Sequence, residues 1–202
     1  MSAEHSSSGS SLILGRVRWK RAAITLVPAA VIAFALMGLT KAGAIASYIS
    51  VSGQEFSVTS TQLTGPGFEQ FGSQVSSSSG STQPVVVSGI RSATLSNLCQ
   101  SVKAGPVTIR LTAGGSGTPV SADNLVVDAS QLNGSTATFH NISIGQDAGT
   151  LTQVPGTAGA SGGFGEQADS ITINNLVQHT WMTTAGTFTL PNLSVGFGGN
   201  CP

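Results

Sequence analysis

A five-residue pattern, Thr-[Leu/Ile/Phe]-x-Asn-[Leu/Ile], recurs at 94–98, 138–142, 172–176 and 189–193. Each copy lies where β-branched and aromatic residues alternate with Ser, Thr and Asn, the period-2 signature of half-buried strands. The pattern breaks that alternation. Its second and fifth positions are both apolar, yet residues three apart point to opposite faces of a regular strand. The Asn between them reconciles the two, because Asn tolerates left-handed backbone and bonds its own main chain. A bulge or bend at the Asn, repeated in successive strands, predicts a curved antiparallel sheet, a meander or an irregular β-stack. The copies are too unevenly spaced for a regular solenoid.

Other segments agree with a mainly β chain. Residues 48–51, 56–59, 107–111 and 171–173 alternate in the same way, and a second pattern, Val-x-small-x-Gln-Leu-x-Gly, occurs at 58–65 and 127–134. Beyond residue 46 only residues 93–102 admit a helical reading. Residues 72–84 are a Ser/Gly segment that reads as having no apolar content to bury, which predicts a mobile loop. Residues 155–165 predict a second flexible loop, and residues 114–117 a short turn. None separates regions of different composition, so residues 47–202 read as a single β domain.

What precedes that domain reads as an address. Arg16, Arg18, Lys20 and Arg21 run into the apolar residues 22–39, and the small-x-small triplet Ala44-Ile45-Ala46 follows. Charge, apolar run and small residues in that order make residues 16–46 an export signal cut between Ala46 and Ser47. The rival reading is an uncleaved membrane anchor, since eighteen apolar residues in an N-terminal hydrophobic helix just span a bilayer. Both leave the domain extracytoplasmic, secreted in one case and held at the cell membrane in the other. Residues 1–15, rich in Ser, are expected to be disordered.

Removing the leader changes the charge. Residues 47–202 keep three basic residues, Arg91, Lys103 and Arg110, against seven acidic ones, for a formal charge of −4. Such a domain has no electrostatic footprint for nucleic acid. Cys99 and Cys201 are its two cysteines, and outside the cytoplasm they read as one disulfide; the alternative is a pair of unpaired buried thiols.

Chemistry is sparse. Residues 159–163 match Gly-x-Ser-x-Gly, the nucleophile elbow of serine hydrolases, with Ser161 as candidate nucleophile. The elbow needs a strand before it and a helix after it, and this copy sits in a glycine-rich loop. Its only partners in the required order are Asp169 and His179, within nineteen residues. His140 and His179 stand at no metal-ligand spacing, so no metal or cofactor is expected. Trp181 reads either as core or as part of an exposed binding face.

Three stretches, Arg-Val-Arg-Trp-Lys-Arg at 16–21, Ser-Asn-Leu-Cys-Gln-Ser-Val at 96–102 and Ala-Gly-Thr-Phe-Thr-Leu-Pro-Asn-Leu at 185–193, resemble a family of small exported actinobacterial proteins of the Streptomyces type. That family is one of unknown function, and some members carry the label cholesterol esterase. The resemblance implies a cell-envelope location and supports the pairing of Cys99; it brings no catalytic residues. The expectation is a non-enzymatic envelope protein that binds a lipid or a protein partner. A serine-type lipid-ester hydrolase and a structural surface protein are the alternatives.

Overall fold

The computed structural model describes residues 50–78 and 80–201. The leader, its cleavage site at Ala46 and Ser47, and the predicted N-terminal helix lie outside them. Eleven strands follow in chain order: β1 (Ser50–Val51), β2 (Phe56–Ser77), β3 (Thr82–Ser96), β4 (Leu98–Ala104), β5 (Val107–Ala113), β6 (Val120–Asn133), β7 (Thr136–His140), β8 (Ser143–Asp147), β9 (Phe164–Thr184), β10 (Thr187–Thr189) and β11 (Ser194–Phe197). A single 3-10 turn, Ala148–Thr150, is the only helical element among the described residues. All pairings are antiparallel except the short parallel contact of β1 with β2.

The curved sheet expected from the sequence closes on itself. β2 pairs with β3, β3 with β6, β6 with β9, and β9 again with β2. That circuit removes the free edges of its four long strands. β7 and β8 continue along β9, while β4, β5 and β11 project from β2 as a three-stranded flap. A straight strand the length of β2 would run about 70 Å at roughly 3.3 Å per residue. Yet Val51 pairs with Ser77 at its far end, and the link from Val51 to Phe56 reaches at most about 18 Å. β2 therefore curls round until its two ends are neighbours.

The asparagines make that curl. Asn97, Asn141, Asn175 and Asn192, the fourth residue of every copy of the pattern, have φ of +51°, +52°, +51° and +53°. Asn124, in the related Ser-Ala-Asp-Asn-Leu, joins them at +49°. Of the bulge and the bend, these sites form the bend: the register is the same on either side of Asn97, with Gln62 facing Ser96 and Thr59 facing Cys99. Register slips occur elsewhere, at residues 128–131 and at Gly145. The left-handed asparagines and glycines, with the residues that face them on neighbouring strands, line up across the sheet in two belts. One runs through Asn192, Gly114, Asn97, Thr61, Asn175 and Ser135, and the other through Asn124, Arg91, Gly67, Asp169 and Asn141. Side chains bond to one another and to the main chain across the kinks, for the most part at the exposed surface. Ser60 Oγ and Thr61 Oγ1 donate to the Ser96 carbonyl, Asn97 Nδ2 to Thr61 Oγ1, and Asn175 Nδ2 to Ser135 Oγ. In the second belt Asn141 Nδ2 donates to Asp169 Oδ2, and Arg91 lies across Gly67, bonding Gln153 through Nε and Nη2.

Each kink lets residues three apart face the same side. Leu95 and Leu98, Ala122 and Leu125, and Ile173 and Leu176 are all buried pairs around a left-handed Asn. This corrects the helical reading of residues 93–102. They form the end of β3 and the start of β4, and the buried series Ile90, Ala93, Leu95, Leu98 imitates helical spacing because two belts cross it. The predicted loop at residues 72–84 is corrected too: β2 runs to Ser77 and β3 starts at Thr82, so most of that stretch is a hairpin. Ser73, Ser76 and Ser77 lie on β2, where Val75 supplies a buried residue and Val85 of β3 another. The loop at residues 155–165 and the turn at 114–117 are as expected, apart from the last two residues of the former, which open β9.

Two apolar clusters result. The larger fills the circuit and includes Phe68, Ile90, Leu125, Ile171 and Leu176. The second lies on the other face of β2 and β3, where Phe71, Val75, Val85 and Val87 are covered by Ala148 and Leu151. Trp181 is half-buried and packs against this second cluster. The covering loop is held by Asp147, whose Oδ1 accepts from the amides of Gly149 and Gly162, and by Glu69, whose Oε2 accepts from Val154 N.

Candidate functional site

Inside one end of the circuit is a chamber of about 460 Å³. It forms where β2, β3, β4, β6, β9 and β10 converge, because the kinks turn their apolar residues inward there without enough side-chain volume to fill the space. Val58, Leu63, Leu95, Leu98, Leu125 and Val127, all buried, make its wall. The half-buried Phe56 and the exposed Thr184 and Phe188 make its rim. Three polar side chains, Gln100, Gln178 and Thr183, interrupt the lining. Thr183 Oγ1 is buried with no hydrogen-bond partner among the described residues. An orphaned hydroxyl costs free energy unless something accepts it or donates to it. A concave, mostly apolar space of this size with a few polar groups is the ordinary form of a small-molecule site.

A second cleft, about 480 Å³, lies on the outer face over the first belt. It is lined by Asn97, Asn175 and Asn192 together with Thr59, Thr112 and Arg110. Beside it Cys99 and Cys201 are joined at an S–S distance of 2.10 Å, and Cys201 N donates to Ser101 Oγ. The bond pins the C-terminal tail to the outer, polar face of the flap.

The residues considered for hydrolysis occupy three neighbourhoods. Ser161 lies exposed on a turn against Gly149. Asp169 Oδ1 and Oδ2 accept from Gln153 and Asn141. His179 Nδ1 pairs with Ser57 Oγ across β9 and β2. His140 ends β7, away from any cluster of three potential metal ligands among the described residues. Burial raises the pKa of Glu69, Asp128 and Glu166 above the ordinary carboxylate range. None of the three lines the chamber, and Glu69 and Asp128 share the face of β2, β3 and β6 under the covering loop. The sequence reading found the strands that build the chamber and missed the chamber itself. Its signal was the doubled apolar positions around each Asn, which say that a face continues past the kink but not what it encloses.

Fold and site together define an all-β protein with a closed strand circuit and a part-open, mostly apolar chamber at one end of it. Residues 52–202 match the model of a family of unknown function, DUF6230, and the chain belongs to that family. No curated protein and no solved structure matches it.

Proposed function

We propose that this is a non-enzymatic envelope protein that takes an apolar chain of a lipid into the chamber. The observation that carries the reading is the chamber: a wall of six buried aliphatic residues around about 460 Å³, with Thr183 Oγ1 unpartnered beside it. An enzyme would need a reacting constellation, and the chamber and its rim offer two amides and two threonine hydroxyls, which orient a ligand's head group rather than cleave it. Gln100 and Gln178 supply both donors and acceptors for a carboxyl, ester or hydroxyl end. The linked Cys99 and Cys201 are compatible with a place outside the cytoplasm. The basic-then-apolar leader supports export, whether it is cut after Ala46 or retained as an anchor through residues 22–39.

Titration with a fluorescent polyene fatty acid tests the reading. Saturable binding at one site per chain is expected, and Leu98→Trp, which fills the chamber, should weaken it at least about tenfold. Overpacking at such a site costs about 1–3 kcal/mol of stability, so circular dichroism must show that the variant is folded. Unsaturable uptake, or equal binding by a folded Leu98→Trp protein, would overturn the proposal.

A further inference from the structure

One face of the flap runs from the chamber out to an open edge and is apolar beyond Gln100. Residues directly opposite in a sheet share a face. Gln100, which lines the chamber, faces Leu111, and Leu111 faces Val195 at 59% exposure. In the next row Val102 faces Ile109, and Ile109 faces Phe197 at 81% exposure. Val107, at the tip of the β4–β5 hairpin, is exposed as well. The disulfide-held tail covers the opposite face of the flap, where it meets Ser101 and Arg110, so among the described residues the apolar face is the one left uncovered. Contiguous exposed apolar surface of this kind marks a surface that meets something apolar.

Charge says what that is. β4, β5 and β11 contain Lys103 and Arg110 and no acidic residue, whereas all seven acids of the domain lie elsewhere. Its third basic residue, Arg91, is engaged by Gln153. The flap is therefore a positive, apolar-edged projection on a negatively charged body. An anionic bilayer attracts the one and repels the other, which orients the domain with the flap toward the lipid. Lys103, next to the hairpin tip, can keep its ammonium among the head groups while Val107 and Phe197 enter the acyl region.

We propose that the flap formed by β4, β5 and β11 docks on an anionic lipid bilayer and that its apolar face leads a lipid chain from the bilayer into the chamber. The second half of this statement rests on the chamber's being a lipid site; the docking stands on the flap alone.

The test places tryptophan at Phe197 in the full chain and, as control, at Phe164, a second exposed aromatic on β9. Vesicles of phosphatidylglycerol and phosphatidylcholine with brominated acyl chains then report which residue enters the bilayer. Phe197→Trp should gain a component quenched by bromine, and Phe164→Trp should not. Adding Lys103→Gln should reduce that component roughly fivefold at low salt, the factor that corresponds to about 1 kcal/mol per basic residue, and phosphatidylcholine alone, which removes the attraction of both Lys103 and Arg110, should reduce it roughly thirtyfold. Equal quenching at both positions, or none at Phe197, would overturn the docking. So would a dimer in sedimentation equilibrium that Val195→Ser and Phe197→Ser dissociate, since the face would then belong to a second copy. Uptake of the polyene fatty acid from solution without quenching at Phe197 removes the docking and leaves the chamber reading in place. Quenching at Phe197 without uptake removes the chamber reading and leaves the docking.

Discussion

Replacing Asn175 separates backbone geometry from side-chain contact at the kinks. The residue is exposed, so burial plays little part in the outcome, and it holds φ at +51°. Its Nδ2 donates to Ser135 Oγ at 3.0 Å, a bond worth about 1 kcal/mol net. For a residue with a Cβ the left-handed conformation costs about 1–2 kcal/mol, a cost that Asn partly offsets and glycine does not bear. Asn175→Gly should therefore lie within about 1 kcal/mol of the parent, the lost hydrogen bond being balanced by relief of strain. Asn175→Ala loses both and should cost about 2–3 kcal/mol. Asn175→Val should cost at least as much, since a β-branched residue fits this region worst. Urea denaturation resolves the series: with a slope near 2 kcal/mol per molar, the Ala variant's midpoint falls by about 1–1.5 M. If Gly and Val destabilise equally, or if Ala is neutral, the left-handed kink is not what the asparagines provide.

Other predictions follow from single observations. A Cβ on Gly65 would stand 2.0 Å from the Ser92 carbonyl oxygen, so Gly65→Ala should destabilise by more than about 3 kcal/mol, while Gly72→Ala, with nothing within 4 Å, should be neutral or slightly stabilising; thermal melts of the two compare them directly. Reducing the bond between Cys99 and Cys201, 102 residues apart, should lower stability by about 2–5 kcal/mol, read from melts with and without reductant. Burial raises the pKa of Glu69, Asp128 and Glu166, so the folded state binds protons more readily than the unfolded one. Their contribution to stability is therefore greatest below the ordinary carboxyl values of 4.5 and 3.8 and is lost as pH rises through the raised folded values. Glu69→Gln should flatten this part of the profile in urea titrations at stepped pH, and an unchanged slope would contradict it. Ser161→Ala should leave any hydrolysis of a short-chain ester unchanged, because Ser161 sits apart from His179 and Asp169; a loss of turnover would restore the hydrolase reading.

Much of this architecture is legible in the sequence, and the reason is local. Strand identity follows from alternation, and the left-handed Asn follows from two apolar residues set three apart, which no regular strand accommodates. Both are properties of five or six consecutive residues. The same locality explains the misreading of residues 93–102, where Ala93, Leu95 and Leu98 carry helical spacing and only the pairing of β3 with β2 and β6 decides against it. Residues 72–84 read as a loop because their serines hide Val75, whose apolar partners, Val85 among them, come from β3 and the covering loop. The closed circuit, the chamber and the flap's open face arise from pairings between residues up to about 120 apart, such as Ser57 with His179. No pattern in one segment records them. Of the charged residues only the segregation of Lys103 and Arg110 from the acids could have pointed to a special surface, and it means something only once β4, β5 and β11 are seen to lie side by side.

Native mass spectrometry of the protein taken from its own cell asks directly whether the chamber holds an apolar chain. If it does, a species heavier than the polypeptide by the mass of one lipid or fatty acid is seen, released on denaturation and absent from Leu98→Trp. A parent protein that flies at its bare polypeptide mass, and takes up no fatty acid when offered one, would contradict that reading of the chamber.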